Sequence, residues 1–281
     1  MTPLRQAIEA AASRLAAAGV ASPRIDAELL AAHVAGVDRS RLMFTDDPGE
    51  GFEQAFDELV AARSRRIPLQ HLIGTAPFGP LTLAVGPGVF VPRPETESLL
   101  EWACAQSLPS NPLIVDLCTG SGALALALAA HRPDARVVAF ENSPAALQFA
   151  RRNAAGTRVE IVDADVTTAG LLPEFDGRVD LLVSNPPYIP EAAVLEPEVA
   201  EHDPAAALFG GPDGMAVIRP IVTLAARWLR DGAPCAVEHD DSTSELAVEA
   251  FDRDGHFTDV TARRDLAGRP RFVTASRTGR S

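Results

Sequence analysis

The chain has 281 residues, of which 47% are hydrophobic and 22% charged, and its formal net charge is −13. That length suits one large domain or two modest ones, and the composition is that of a water-soluble globular protein. The acidic balance argues against tight nonspecific binding to nucleic acid, which needs a basic surface to displace counterions.

Residues 3–66 read as helices. Leu4, Ile8, Ala11, Ala12 and Leu15 repeat at helical spacing, and Gly19 closes that run. Ser22-Pro23 reads as a helix cap followed by proline at the first position. Ile25, Leu29, Leu30 and His33 continue a second helix to about Gly36. A third is expected from Phe52 to Arg66, with Phe52, Phe56, Leu59 and Val60 on one face. From Phe78 to Val91 the period changes to two. Leu81, Leu83 and Val85 alternate, Gly86-Pro87-Gly88 turns, and Val89-Phe90-Val91 returns, which predicts a hairpin. Pro92-Arg93-Pro94 ends it, and Glu95 opens a helix through Leu99, Leu100 and Ala103.

After residue 110 short strands alternate with helices. Strands are expected at Leu113–Leu117, Arg136–Phe140, Val159–Val162, Val179–Ser184 and Pro234–Glu238. Helices are expected at about 122–130, 144–153, 214–230 and 243–251. Phe257–Thr261 and Arg271–Ala275 read as a final antiparallel pair. The alternation predicts an α/β fold, a mostly parallel sheet covered on both faces.

All 25 basic residues are arginine, a bias read as genome composition. Arg63, Arg65, Arg66, Arg151-Arg152 and Arg263-Arg264 are expected to be solvated helix and loop faces. Cys104, Cys118 and Cys235 lack metal-ligand or CxxC spacing, so a reducing compartment and no metal are expected. Arg5, Glu9 and Arg14 among the first alanines do not read as a signal peptide. The longest apolar run, Ala123 to Ala130, is too short for a bilayer span. A cytoplasmic protein without membrane contact is the expectation.

Two loops carry chemistry. The first strand of the alternating region runs into Cys118-Thr119-Gly120-Ser121-Gly122, where ligands bind in open α/β sheets. Gly120 and Gly122 permit tight turning and close approach of a ligand. Glu141 ends the next strand at the spacing of a ribose-hydroxyl acceptor, and Ser143-Pro144 caps the helix after it. NAD is one alternative, but the third glycine of its fingerprint is missing, and no Gly-Lys-Ser/Thr pair exists for a triphosphate. A nucleoside cofactor without pyrophosphate, such as S-adenosylmethionine, fits better.

The second loop is Asn185-Pro186-Pro187-Tyr188, directly after an apolar strand. Two prolines fix an extended backbone. Asn185 supplies a side-chain acceptor and donor, and Tyr188 a flat π-face. Such a site suits a planar group bearing an NH2, either a carboxamide or an exocyclic amine. The bland alternative is a strand-ending turn.

The stretches Pro68-Leu-Gln-His-Leu-Ile-Gly74, Phe90-Val-Pro-Arg-Pro-Glu-Thr-Glu97, Asp116-Leu-Cys-Thr-Gly-Ser-Gly122 and Asn185-Pro-Pro-Tyr188 resemble the bacterial peptide chain release factor glutamine N5-methyltransferases. So do Ser22-Pro-Arg-Ile-Asp-Ala-Glu-Leu-Leu30, Glu196-Pro, Ala207-Leu-Phe-Gly-Gly211 with Asp213-Gly214, and Asp265-Leu-Ala-Gly-Arg269. Asn-Pro-Pro-Tyr is shared with amino-methylating DNA enzymes. Pro-Arg-Pro-Glu-Thr-Glu is far more specific.

The resemblance implies a class I, Rossmann-like methyltransferase with a seven-stranded sheet behind a small helical domain. It divides the chain into a substrate-recognition domain at 1–75, a β-hairpin linker at 76–92 and a catalytic domain at 93–281. The implied substrate is the glutamine of the Gly-Gly-Gln motif in translation termination factors, with no stable nucleic-acid partner. S-adenosylmethionine would be contacted by Cys118, Thr119, Gly120, Ser121, Gly122, Glu141, Val166 and Asn185. Asn185, Pro186, Pro187 and Tyr188 would hold the glutamine. The chain departs from the family pattern at Cys118 (usually glycine), Glu141 (usually aspartate) and Val166 (usually larger). Glu238-His239-Asp240 also replaces an ending in glycine. Two rivals are an N6-adenine methyltransferase acting on a flipped base and a ribosomal-protein glutamine methyltransferase. A third is a cofactor-binding protein without activity.

Overall fold

A computed structural model describes residues 3–45 and 47–279. The chain forms two units, one comprising Met1–Thr75 with Leu195–His202 and the other Ala76–Val194 with Asp203–Ser281.

The first unit is helical. Helices α1 (Pro3–Ala17), α2 (Pro23–Ala35), α3 (Phe52–Ser64) and the short α4 (Leu69–Ile73) bury Leu4, Ile8, Leu15, Leu30, Phe56 and Val60 against one another. Pro23 occupies the first turn of α2 as expected, but the Ser22 side chain makes no capping bond. Gly36 closes α2 with φ of 64°, and its N–H meets the Ala32 and His33 carbonyls. Arg63 is not a solvated basic spot. Only 5% exposed, it donates to Asp26 at 2.8 Å, to the Ile67 carbonyl at 2.9 Å and to Glu198 at 2.8 Å.

The second unit begins with a two-stranded sheet of β1 (Thr75–Phe78) and β2 (Leu81–Ala84). This corrects the expected hairpin. The turn falls at Gly79-Pro80, where Gly79 has φ of 51°, and Val89-Phe90-Val91 is not a strand. Val89 and Val91 instead bury their side chains with Ala146. A short 3-10 turn at Pro94–Thr96 leads into α5 (Glu97–Cys104).

The alternating region follows as β3 (Leu113–Leu117), α6 (Ala123–His131), β4 (Arg136–Glu141), α7 (Pro144–Ala154), β5 (Glu160–Asp163) and β6 (Leu181–Ser184). After β6 come α8 (Pro197–His202), which belongs to the first unit, and α9 (Ala205–Leu208). The chain ends with α10 (Ile218–Trp228), β7 (Pro234–Glu238), α11 (Ser244–Asp254), β8 (Phe257–Arg264) and β9 (Pro270–Arg277). Helix α10 starts later than the sequence suggests, because the chain before it turns back: the Ala216 N–H meets the Gly210 carbonyl at 2.8 Å.

Seven strands form one sheet in the order β5-β4-β3-β6-β7-β9-β8. The first five are parallel, and β9 runs antiparallel to both neighbours. Strand residues alternate between two cores, as period-two geometry requires. Val115, Leu117, Val138, Phe140, Leu182 and Val237 pack on one face with α10 and α11. Ile114, Val137, Ala139, Leu181, Val183 and Ala236 pack on the other with α5 and α6. Among the described residues no helix is long and apolar enough to cross a membrane, and no cluster could hold a metal ion.

Candidate active site

From β3 the chain crosses to β4 on one side, while β6 lies on the other, so strand order reverses between β3 and β6. Ligands of such sheets bind at this reversal, beyond the carboxyl ends of the strands. Leu117 pairs with Ser184, and Ser184 with Val237. Cys118 and Asn185 therefore follow side by side, one residue beyond β3 and β6, next to Glu238, the last residue of β7.

The Cys118–Gly122 loop is held from below. Asp116, 1% exposed, accepts the Thr119 hydroxyl at 2.5 Å and the Ala125 N–H at 3.1 Å. Burial pushes its carboxyl up to about 7, despite those two bonds. The Gly120 N–H donates to Glu141 Oε2 at 2.8 Å, and Asn153 donates to the Ser121 carbonyl at 2.9 Å. Gly120 has φ of 58°, with no atom within 4 Å of the place a Cβ would take. Cys118 shares this left-handed conformation, with φ of 59°. Its thiol is pushed well above the usual range by burial and then by the nearby Glu141 carboxylate.

Glu141 reaches across to the loop. Besides Gly120, it accepts the N–H groups of Asn142 and Ser143, each at 2.9 Å. Of the four or so acceptor positions of a carboxylate, three are filled, and Oε2 keeps one. The Ser143 side chain caps α7 by accepting from the Ala146 N–H. Val166 is 6% exposed and packs into the core, so any cofactor contact there falls to its main chain. Asp165, next to it, acts electrostatically on Cys118. Sequence reasoning passed over Asp165, two residues beyond Asp163, the β5 residue that pairs with Glu141.

At the end of β6 the Asn185 Nδ2 donates to the Thr96 hydroxyl at 3.0 Å, which leaves Oδ1 without that duty. Thr96 is buried and belongs to the Pro-Arg-Pro-Glu-Thr-Glu segment. The Tyr188 hydroxyl donates to Glu238 Oε1 at 2.9 Å. Arg93 in the same segment pairs with Asp203. Glu97 accepts the Gly79 N–H at 3.1 Å. His239 is fully buried, with Nδ1 against the Asp240 carbonyl at 2.8 Å. Asp240 has φ of −66° and accepts the Ser242 N–H, so this position does not demand glycine.

Two glycines explain the Gly210–Gly214 stretch. A Cβ on Gly210 would stand 2.7 Å from the Pro187 carbonyl oxygen and 2.5 Å from that of Gly214. One on Gly214 would collide with the Tyr188 carbonyl. The backbone of Pro187 and Tyr188 is thus seated directly on bare glycine backbone. The Ile189 N–H bonds the Leu208 carbonyl at 2.8 Å, and the Gly210 N–H bonds the Ile189 carbonyl at 2.9 Å.

Residues 6–74 match the family described as the PrmC N-terminal domain, and residues 94–202 match the Methyltransferase small domain. The release factor glutamine methyltransferase of Mycolicibacterium smegmatis is 75% identical over 281 residues, covering all of both chains. That of Mycobacterium tuberculosis strain H37Rv is 65% identical, covering 98% of this chain and 92% of the other. That of Mycobacterium leprae is 60% identical, covering 99% and 98%.

Proposed function

This chain belongs to the release factor glutamine methyltransferases, and we propose that it methylates the side-chain amide nitrogen, N5, of the glutamine in the Gly-Gly-Gln motif of peptide chain release factors. It is an S-adenosylmethionine-dependent enzyme. The observation that carries the substrate reading is the adjacency of the Cys118–Gly122 loop and Asn185–Tyr188 beyond the paired ends of β3 and β6.

The residues present fit the cofactor. Gly120 offers bare backbone, and Glu141 keeps one acceptor position for a ribose hydroxyl. Cys118, Thr119, Gly120, Ser121, Gly122, Glu141, the main chain of Val166, and Asn185 would hold it. When bound, S-adenosylmethionine supplies a methyl group made electrophilic by a positively charged sulfur.

The chain's own residues supply position. A carboxamide nitrogen is a poor nucleophile because its lone pair is delocalised into the carbonyl. Asn185 Oδ1 and the Pro186 carbonyl accept its two N–H bonds, which fixes the direction of the nitrogen. The same acceptors stabilise the positive charge that grows on it. Tyr188 lays its ring against the amide plane, with its hydroxyl held by Glu238. No general base is assigned before methyl transfer. Residues 1–75 serve partner recognition, 76–92 link, and 93–281 form the catalytic domain. The reaction takes place in the cytoplasm, with no stable nucleic-acid contact by this chain.

Peptide mass spectrometry of purified release factor, incubated with the protein and S-adenosylmethionine, tests the reading. One added methyl is expected on the Gly-Gly-Gln glutamine, and Asn185→Ala is expected to slow its appearance about 10²-fold. Methyl transfer to a ribosomal protein or to nucleic acid, with none to the release factor, would overturn the substrate. Near-normal turnover by Asn185→Ala would overturn the roles assigned to that loop.

A further inference from the structure

Resting on that reading of the site, we infer that Glu238 is a positioning residue, whose carboxylate sets the hydrogen-bond direction of both Asn185 and Tyr188. The argument starts from Asn185. For Oδ1 to accept from the substrate amide, Nδ2 must be spent elsewhere, and it is spent on Thr96 at 3.0 Å. A side-chain amide can turn over by 180° and exchange its oxygen for its nitrogen. Turned over, Asn185 would present a donor to an N–H group and reject the substrate. What forbids the turn is that the Thr96 hydroxyl must act as acceptor toward Asn185, so its own proton must go to another group.

Glu238 is the acceptor in reach. It is 1% exposed, and Thr96 lies near enough to favour its charged form. Its buried Oε2 has no hydrogen-bond partner among the described residues, which leaves it open to the Thr96 proton. Its Oε1 takes the Tyr188 hydroxyl at 2.9 Å. An ionised carboxylate can only accept. It therefore forces both hydroxyls to point toward it, and the Thr96 oxygen is left to face Asn185. The chain reads Asn185 amide to Thr96 hydroxyl to Glu238, with Tyr188 entering from the other side. One buried charge orders both residues that hold the substrate.

A protonated Glu238 reverses this. Its new O–H is a donor that competes for the Thr96 oxygen, and the direction of the chain is lost. Burial pushes this carboxyl up to about 7. The charged and titratable groups that face it are Arg271 from β9, which favours the carboxylate, and Glu95 from the 3-10 turn, which opposes it. Tyr188 faces it as donor, and the adjacent His239 is held toward neutrality by its own burial. Arg271 is aimed by Asp265, at 3.1 Å from its Nη2. The Asp265–Arg269 turn thus has a place in the arrangement.

The test is the pH dependence of kcat and KM for release factor methylation, measured on the full-length wild type, Glu238→Gln and Thr96→Val. Wild-type turnover is expected to fall as pH drops below about 7. Glutamine imposes the hydrogen-bonding pattern of the protonated acid at every pH. Glu238→Gln is expected to lower kcat about 10²-fold, with a flat pH profile. Thr96→Val keeps the Tyr188 contact but breaks the path to Asn185. It should lower kcat by less than Glu238→Gln, and the double variant should lose no more than Glu238→Gln alone. A Glu238→Gln enzyme with wild-type kcat, or one that keeps the wild-type pH limb, would overturn the assignment. A wild-type enzyme that binds cofactor but never methylates release factor would instead overturn the substrate reading beneath it.

Discussion

Tyr188 is the chain's only tyrosine, so its ionisation can be followed by ultraviolet absorbance without interference from another phenol. Burial and then the Glu238 carboxylate push its hydroxyl well above the usual tyrosine range. A raised value means that the folded state holds the proton more tightly than the unfolded chain. The stability this confers is present below the unfolded value, about 10, and is lost as pH rises through the folded one. Alkaline titration of the native protein should show no tyrosinate until the fold itself gives way, whereas the urea-unfolded chain titrates near 10. An ordinary native titration would contradict the Tyr188–Glu238 contact. Residue identity made Tyr188 a candidate from the sequence, but its partner is fifty positions away and bears no local signature. Cys118 teaches the same point. Its departure from glycine is visible in the sequence, yet only the backbone shows that it occupies a left-handed conformation at φ of 59°.

Elements were legible where periodicity governed them. The α/β alternation after residue 110 follows from strands buried on both faces and helices covering them, and burial patterns of that kind are written in apolar spacing. The hairpin was misplaced because Val89 and Val91 alternate like strand residues, while their burial comes from packing with Ala146. Gly86-Pro87-Gly88 imitated a turn, and Gly79-Pro80 was the real one. Arg63 misled for a different reason: a cation's burial depends on distant partners, here Asp26 and Glu198. That cluster joins α2, α3 and α8 within the helical unit. Removing one partner from a buried ion pair leaves the other charge uncompensated, at a cost of about 3–5 kcal/mol. Asp26→Ala should therefore weaken the helical unit by about 3 kcal/mol, read as faster amide hydrogen exchange across α2 and α3. Exchange rates unchanged from wild type would mean that Glu198 alone satisfies Arg63.

At the scale of the whole molecule, two buried carboxyls pull stability and turnover apart. Asp116 beneath the cofactor loop and Glu238 at the end of β7 are both raised to about 7 by burial, from ordinary values of 3.8 and 4.5. For each, the folded state favours the protonated form. Their contribution to stability is complete below the unfolded values and disappears as pH rises through about 7. The partnered carboxylates Glu28, Glu160, Asp213 and Asp265 behave oppositely, since their values are lowered. They stabilise the fold above the ordinary carboxylate range and lose that effect as pH falls below it. With a net charge of −13 at neutrality, partial protonation also relieves self-repulsion. The melting temperature should therefore peak between about pH 5 and 6, below the pH at which methylation runs fastest. Thermal scans at pH 5.5 and 8 locate the stability peak, and replacing Glu238 by glutamine should flatten the difference between them. A protein whose stability and turnover share one optimum near pH 8 would show that neither carboxyl is held protonated in the folded state. The separation, if found, has a simple origin. The site keeps a charged carboxylate where water is excluded because that charge orients the substrate-holding groups, and the fold is less stable at working pH for carrying it.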